Sequence, residues 1–310
     1  MSDNKYRLVT RSDFDGLVCA VLLKELDLID EIKFVHPKDM QDGKIHITSQ
    51  DITTNLPYVE GVHLSFDHHS SELARLSNEP GNLVIDPDAP SAARVVYNYY
   101  GGKQEFTRVS EDLMDAVDKG DSANFTKDEV LNSKGWPLLN FLMDARTGLG
   151  RFRDFRISNY QLMMDLIKFC VTHSIEEILE LPDVKERVDI YLDHEDRFKR
   201  QVKRCATVHE NLVILDLRQE DTIWAGNRFM IYAMYPQCNI SIHVLWGLKR
   251  QNVVYATGKS IFDRSSKTNI GDLMLKWGGG GHHAAGTCQV PLEKAEDCRK
   301  DLIAKIISDG

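Results

Sequence analysis

The sequence predicts an α/β protein with a largely parallel sheet in its first half and a smaller α/β domain at its end. Short apolar runs alternate with segments of helical periodicity over roughly the first hundred residues. The pattern then becomes mostly helical, and strand-like runs return after residue 205. A chain of 310 residues is also longer than one typical core and suits two domains.

The first half supplies the strands of the predicted sheet. YRLVT at 6–10 is a strand candidate, and apolar residues recur at helical spacing from Leu17 to Leu26. SAARVVYNYYGG predicts a helix that ends at glycines. Four further runs have the composition of short strands: EIKFVHP, KIHIT, VHLSF and NLVID. Ligands of such sheets bind beyond the carboxyl ends of the strands, so a site is expected at that edge.

The second half predicts a change of architecture. Residues 1–183 are predicted to form the first domain, a charged helix over 184–204 the linker, and residues 205–310 the second domain. Helices are expected in VSEDLMDAVDKG, in WPLLNFLMDAR and over 157–172, and later near 225–235 and from about 292. The strands expected in the second domain are LVILDL, NISIHVLWG and NVVYATG.

Composition predicts a cytoplasmic protein without membrane spans. The chain is 42% hydrophobic and 27% charged, no apolar run has the length of a membrane span, and MSDNKYRLVT has no secretory pattern. Its six cysteines include no C-x-x-C pair. They therefore indicate reduced thiols, and neither a disulfide framework nor a structural zinc site.

Charge is distributed unevenly along the chain. The net charge of −9 argues against a long nucleic acid, in particular a long duplex, bound on a broad basic face. Residues 205–310 carry 12 Lys+Arg and 11 Asp+Glu, so the other 26 and 36 lie in residues 1–204, where acidity would attract metal cations. A local basic patch, rich in Lys and Arg, lies within 249–267.

Two acidic motifs follow predicted strands. Asp13 and Asp15, in RSDFDG, follow the first strand and can hold hard divalent cations. They can equally form an acidic helix cap, and DFDG also resembles the aspartyl-nucleophile motif of haloacid-dehalogenase-like phosphatases. Asp67, His68 and His69 follow VHLSF and offer imidazole ligands with a carboxylate to orient them.

Three further features could belong to a site or to ordinary turns. Asp51 follows KIHIT, and Asp121 lies in KGDSANF; both are typical of turns. GGGGHHAAG at 278–286 contains four consecutive glycines, which cost backbone entropy and bury nothing. Such a run is typical of backbone that approaches a phosphate closely, and equally of a flexible hairpin or linker.

Together, DFDG, an aspartate after the third strand, DHH and a terminal GGGGHHAAG resemble the DHH phosphoesterase superfamily with its DHH-associated C-terminal domain. The order of the motifs covers nearly the whole chain. The resemblance implies a DHH domain, a linker helix and a smaller C-terminal domain, with the active site in the interdomain cleft. It implies a hydrolase of short oligonucleotides, dinucleotides or polyphosphate, similar to the exopolyphosphatase-like and oligoribonuclease-like members.

The resemblance also implies a metal centre. Asp13 would bind one Mn²⁺ and Asp15 the other, with Mg²⁺ as an alternative cation. Asp51 would bridge the two ions, and His68 and Asp121 would complete the second site. The implied reaction is a two-metal hydrolysis, in which an activated water attacks phosphorus in line.

Further roles follow from the same resemblance. Asp67 would orient His68, and His69 would contact the scissile phosphate. Substrate phosphate and sugar would be held by the terminal loop, by His282 or His283, and with help from two cations of the basic patch. The residues of this substrate-binding set are Gly279, Gly280, Gly281, His282, His283, Lys259 and Arg264.

One position departs from the family. Arg11 stands where relatives usually have a metal-binding histidine, and a guanidinium cannot ligate a cation. It is predicted to pair with Asp13 or to grip a phosphate oxygen as a catalytic group; the alternative is that it turns to solvent and water or His36 completes the site. The departure also keeps open a catalytically weakened nucleotide-binding protein. The sequence specifies neither the substrate nor the oligomeric state, although it is compatible with a homodimer.

Overall fold

The computed structural model describes residues 5–76, 78, 80–152 and 154–310. The chain divides into two compact units. The first comprises Met1–Phe125, Lys134–Ala145 and Leu149–Asp189, and the second comprises Thr126–Ser133, Arg146–Gly148 and Ile190–Gly310. The division near residue 190 falls inside one long helix, Pro182–Cys205.

The sheet of the first unit is parallel throughout. Its strand order is β2-β1-β3-β4-β5, and every neighbouring pair runs in the same direction. The carboxyl ends of all five strands therefore lie at one edge, as predicted. The strands are β1 (Tyr6–Arg11), β2 (Ile29–Val35), β3 (Asp51–Thr54), β4 (Leu64–Asp67) and β5 (Leu83–Ile85).

Both units contain α-helices. Four short segments form 3₁₀ turns: Gly102–Gln104, Ala145–Thr147, Leu149–Arg151 and Leu248–Arg250. The α-helices are α1 (Phe14–Glu25), α2 (Pro37–Gln41), α3 (Ser70–Arg75), α4 (Ala92–Tyr99), α5 (Glu111–Asp121), α6 (Lys127–Leu131), α7 (Gly135–Met143), α8 (Asn159–Thr172), α9 (Ile175–Glu180), α10 (Pro182–Cys205), α11 (Met230–Met234), α12 (Ile270–Leu275) and α13 (Leu292–Asp309). No helix among the described residues is both long and apolar enough to cross a membrane.

Helix α1 is the central helix of the first unit. Each of its residues from Phe14 to Leu23 is buried, and the helix packs against α4, α5, α8 and β1. A side chain at Gly16 would meet the Arg11 carbonyl oxygen at 2.0 Å, so only glycine permits this close approach of α1 to the end of β1. The approach brings the first turn of α1 to the carboxyl edge of the sheet.

One predicted strand is wrong. KIHIT, residues 44–48, forms no strand; β3 begins only at Asp51, which pairs with Arg7 of β1. Ile45 and Ile47 instead pack in a small apolar cluster with Val9 and Val62. Their alternation therefore reflects burial in a loop and not a pleated strand.

The second unit has a mixed sheet of order β10-β11-β9-β8-β7-β6, in which only β7 and β8 are parallel. Three predicted strands and the closing helix α13 are confirmed, whereas the helix expected near 225–235 is limited to α11. Side chains of α12 and α13 pack with the sheet in one apolar core. The strands are β6 (Ala206–His209), β7 (Leu212–Asp216), β8 (Ile240–Trp246), β9 (Asn252–Lys259), β10 (Gly280–His282) and β11 (Ala285–Pro291).

Candidate metal centre

Three potential metal ligands meet at the carboxyl edge of the first sheet. Asp15 lies in the first turn of α1, His68 follows β4, and Asp121 ends α5. One ligand atom from each lies within 4.8 Å of the other two. Two carboxylates and one imidazole at this spacing form a suitable ligand set for a divalent cation.

The orientation of His68 fits a metal ligand. Its Nδ1 lies 3.1 Å from the Ala89 carbonyl oxygen, which selects the tautomer that carries the proton on Nδ1 and leaves a lone pair on Nε2. Nε2 lies 2.9 Å from Asp121 Oδ2. This contact lacks the direction of a hydrogen bond, and Nε2 is buried with no hydrogen-bond partner among the described residues. A cation would satisfy it.

The charges of the cluster also favour a cation. Asp15 is 2% exposed, and its oxygens accept hydrogen bonds from the backbone amides of Ala92 and Ala93 at 3.0 and 2.8 Å. Burial raises the pKa of Asp15 well above its usual value, and the charges of Asp121 and Asp13 raise it further. A divalent cation would relieve this repulsion between carboxylates.

His68 and Asp121 stabilise each other's charge in the absence of a cation. Burial lowers the pKa of His68, but the carboxylates of Asp121 and Asp15 outweigh burial and raise that pKa to about 9. Burial alone would raise the pKa of Asp121, yet the nearby His68 holds it below its usual value. Without a cation, a protonated His68 thus provides part of the positive charge that a metal would supply, and a cation bound at Nε2 would replace that proton.

Arg11 pairs with Asp13, as one sequence-based alternative predicted. Its Nε lies 2.7 Å from Asp13 Oδ2. The other oxygen of Asp13 caps α1 by accepting a hydrogen bond from the Gly16 amide at 3.0 Å. His36 does not complete the centre, because its Nδ1 caps α2 by accepting from the Lys38 amide.

The structure does not bring Asp51 to this centre, and its prediction as the bridging ligand is corrected. Asp51 begins β3 and therefore lies at the amino edge of the parallel sheet, in register with Arg7. Arg7 Nε donates to one carboxylate oxygen at 2.6 Å, and the Thr48 amide donates to the other at 2.6 Å. Asp51 is thus a fully engaged structural carboxylate.

Sequence reasoning missed Asn55, the residue that follows β3 at the carboxyl edge. It has a left-handed φ of 55° and is 1% exposed. Its Nδ2 points to Asp13 Oδ1 at 3.4 Å, and its Oδ1 is buried without a hydrogen-bond partner among the described atoms. The only sequence signal was an Asn directly after a β-branched run, which is equally typical of a turn.

Asp67 and His69 form a second, adjacent pair. Asp67 Oδ1 lies 2.8 Å from His69 Nδ1, so the carboxylate positions His69 and not His68. The predicted role of Asp67 is corrected accordingly. The rings of His68 and His69 meet edge to face, with centroids 4.5 Å apart. The DHH motif therefore supplies His68 as a candidate ligand and His69 as an imidazole that is more exposed and is held by Asp67.

The glycine–histidine segment lies in the second unit, where it forms the hairpin of β10 and β11. A side chain at Gly279 would meet the Thr287 carbonyl oxygen at 2.2 Å, and one at Gly281 would meet that of Ala285 at 2.3 Å. These two glycines are required by strand packing. A side chain at Gly280, in contrast, would meet nothing within 4 Å, so its exposed backbone is accessible to a ligand.

Basic side chains accompany this hairpin. Lys259 Nζ lies 3.3 Å from the nitrogens of the exposed His283 ring and donates to the Ser266 carbonyl at 2.9 Å. Burial lowers the pKa of Lys259. His282 Nδ1 accepts from the Ala284 amide, and Arg264 Nε lies 3.5 Å from the Ile261 carbonyl oxygen. The structure thus groups Lys259 with His283.

Comparison with solved structures finds a relative of high sequence identity. The pGpG-specific phosphodiesterase PggH from Vibrio cholerae is 65% identical, covers 99% of this chain and 100% of its own, and superimposes with a TM-score of 0.85. No family model and no curated protein matches the chain.

Two distant structures share the fold alone. The Mn²⁺ complex of RecJ from Thermus thermophilus is 12% identical with a TM-score of 0.54, over 98% of this chain and 52% of its own. CDC45 from Entamoeba histolytica is 9% identical with a TM-score of 0.50, over 98% and 96% of the two chains.

Proposed function

As a member of the DHH phosphoesterase superfamily, this chain is a metal-dependent hydrolase of short phosphorylated substrates, and we propose that it cleaves the linear dinucleotide pGpG. The observation that carries the proposal is the Asp15–His68–Asp121 cluster in a chain whose sequence is 65% identical to a pGpG-specific phosphodiesterase. Membership also removes the haloacid-dehalogenase interpretation of DFDG, and no covalent aspartyl phosphate is expected.

The proposed cation is Mn²⁺, held by Asp15, His68 and Asp121. Carboxylate oxygens with a single imidazole suit Mn²⁺ or Mg²⁺ better than the thiolate-rich sites that zinc prefers. When bound, such a cation stabilises charge on phosphoryl oxygens and lowers the pKa of a water.

The surrounding side chains orient the substrate. We assign to His69 the contact with the scissile phosphate, because Asp67 supports its Nδ1 at 2.8 Å and leaves Nε2 for a phosphate oxygen. Arg11 adds a fixed positive charge that stabilises the negative charge developing on the phosphoryl oxygens. Asp67, His69 and Arg11 thus form the proposed catalytic set around the cation.

We assign substrate binding to the hairpin of the second unit. The accessible backbone at Gly280 and the paired cationic and imidazole groups of Lys259 and His283 suit a phosphate or ribose oxygen. Arg264, His282 and the flanking glycines Gly279 and Gly281 are assigned supporting roles. Replacement of His283 by Ala should raise KM without loss of bound metal. The control is His209→Ala, on the opposite edge strand of the same sheet, which should leave KM unchanged.

A substrate panel tests the proposed function. Protein stripped with chelator and reloaded with Mn²⁺, Mg²⁺ or Zn²⁺ should be assayed on pGpG, longer linear RNA, cyclic dinucleotides, polyphosphate and pyrophosphate. Cleavage of the P–O3′ bond of pGpG gives two molecules of 5′-GMP, which chromatography detects. We expect pGpG to be hydrolysed fastest and Mn²⁺ to restore more activity than Zn²⁺.

Two results would contradict the proposal. Full activity in excess EDTA would exclude a metal-dependent reaction. Equal rates on pGpG and on long single-stranded nucleic acid would exclude a short-substrate enzyme. The net charge of −9 instead disfavours the binding of long nucleic acid.

A further inference from the structure

The carboxyl edge of the sheet contains ligands for one cation but, among the described residues, not a comparable set for a second. Asp15, His68 and Asp121 converge within 4.8 Å. Asp51, which would have bridged two ions, is bound to Arg7 and Thr48 at the opposite edge. A second ion would therefore depend on Asp13 and on whatever side chain follows β3.

Asp13 is unsuitable as a ligand for a second ion because both of its carboxylate oxygens are already engaged. Asp13 Oδ2 is 2.7 Å from Arg11 Nε, and Asp13 Oδ1 already accepts from the Gly16 amide. A guanidinium stays protonated and has no lone pair, so it repels a cation held by the same carboxylate. Arg11 thus places a positive charge against the carboxylate that a second metal would need.

Asn55 completes this replacement. It follows β3 as His68 follows β4, but it provides a neutral amide where an anionic bridge would be needed. Its amide orientation is set by Asp13, because a flipped amide would place oxygen against the carboxylate. The inward oxygen is buried without a hydrogen-bond partner among the described residues, so it can accept from a water or a substrate hydroxyl.

We propose that this chain binds one divalent cation per active site, on Asp15, His68 and Asp121, and that Arg11 and Asn55 occupy the place of a second. The role that the inference gives to Arg11 rests on the proposed phosphodiesterase function, in which the guanidinium stabilises negative charge that develops during phosphodiester cleavage. It depends on cation binding alone for its test.

Metal stoichiometry tests the proposal without substrate. Chelator-treated protein should be titrated with Mn²⁺ by calorimetry, with bound metal measured by mass spectrometry and electron paramagnetic resonance. The parent chain should bind one Mn²⁺ with an uncoupled spectrum, and Asp121→Asn should bind none at the same concentration. The double variant Arg11→His with Asn55→Asp should bind two and show the reduced hyperfine spacing of a coupled pair.

A matched control is available within the chain. Arg7→His with Asn98→Asp makes the same changes of residue type and charge, but Arg7 is at the other end of β1 and Asn98 is exposed. This control should still bind one ion.

The stoichiometries decide the matter separately from activity. Two tightly bound ions in the parent chain would overturn the proposal, as would a folded Arg11→His/Asn55→Asp variant that binds only one. If that variant does not fold, the parent stoichiometry and its spectrum remain decisive. One ion without pGpG hydrolysis would refute the proposed function alone, and pGpG hydrolysis with two ions would refute this inference alone.

Discussion

The two ends of strand β1 carry the same pair of residue types in different electrostatic surroundings. At the amino end, Arg7 Nε lies 2.6 Å from Asp51 Oδ1, and Thr48 satisfies the second oxygen. At the carboxyl end, Arg11 Nε lies 2.7 Å from Asp13 Oδ2, but Asp15 and Asp121 add two further carboxylates. The first end is balanced, whereas the second has an excess of negative charge.

This difference shows why an Arg–Asp pair alone does not identify a site. Burial alone would raise the pKa of Asp51, but the bonds from Arg7 and Thr48 outweigh burial and hold that pKa below its usual value. For Asp15, burial and the neighbouring carboxylates act together and raise the pKa. A carboxylate cluster whose charge is not compensated by protein groups is the feature that points to a cation.

The largest expected effect comes from removing a ligand at the carboxyl end. Asp121→Asn removes one of two anionic oxygens that would hold the cation, so hydrolysis should fall by about 10³-fold. Asp115→Asn is the matched control, because it changes the same helix at a side chain that is 79% exposed. Steady-state rates and Mn²⁺ content should be measured on both. An Asp121→Asn enzyme with normal rate and metal content would remove Asp121 from the centre.

The next effect separates the two arginines of β1. Arg11→Ala removes the fixed charge beside Asp13 and should lower kcat by about 10²-fold, as for the loss of one oxyanion-type donor. Arg7→Ala should leave kcat of the folded enzyme within about 2-fold, because its partner Asp51 is remote from the ligands in the sheet. Equal losses of kcat in both variants would mean that the two ends of β1 do not differ in function.

The apolar periodicity of the sequence predicted most of the strands and helices that place these two Arg–Asp pairs at opposite edges of the sheet. The β1 run YRLVT, the buried helix α1 and the DHH residues after β4 were predicted correctly because apolar period and strand ends are local properties of the sequence. KIHIT was wrong, since the same alternation served a buried loop. A one-element error at that point moved Asp51 from the carboxyl edge to the amino edge.

The composition of the site was harder to predict than the fold. Asn55 is typical of a turn residue, and only the pairing of β3 beside β1 places it next to Asp13. Asp67 precedes both histidines and is adjacent only to His68, so its contact with His69 depends on side-chain geometry. Such assignments arise from tertiary contacts that a single sequence does not contain.

A smaller loss of kcat is expected for Asp67, which lies beside the metal centre and contacts His69. Asp67→Asn keeps a hydrogen-bond acceptor for His69 but weakens the 2.8 Å contact that positions the ring, so kcat should fall by about 10-fold. Mn²⁺ content should stay at the parent value, because His68 is held by the Ala89 carbonyl and not by Asp67. Loss of metal from Asp67→Asn would show that the carboxylate supports the ligand set after all.

The smallest effect on catalysis is expected at the amino end of β1. Asp51→Asn should leave kcat within about 2-fold. It should instead lower the free energy of unfolding by about 2 kcal/mol, because the ion pair with Arg7 is lost. The folded-state pKa of Asp51 is depressed below its ordinary value of 3.8. Its ion pair therefore stabilises the protein fully above that value, and the contribution is lost as the pH falls through the folded-state pKa.

Denaturant unfolding of the parent chain and Asp51→Asn at neutral pH and near pH 3 checks this sign. The difference in stability between the two proteins should be largest at neutral pH and should shrink on acidification, because the amide does not titrate. Asp39→Asn, on the exposed helix α2, controls for the loss of one surface carboxylate and should change stability little. A large loss of kcat or of bound Mn²⁺ in folded Asp51→Asn would return Asp51 to the metal centre and erase the contrast between the two ends of β1.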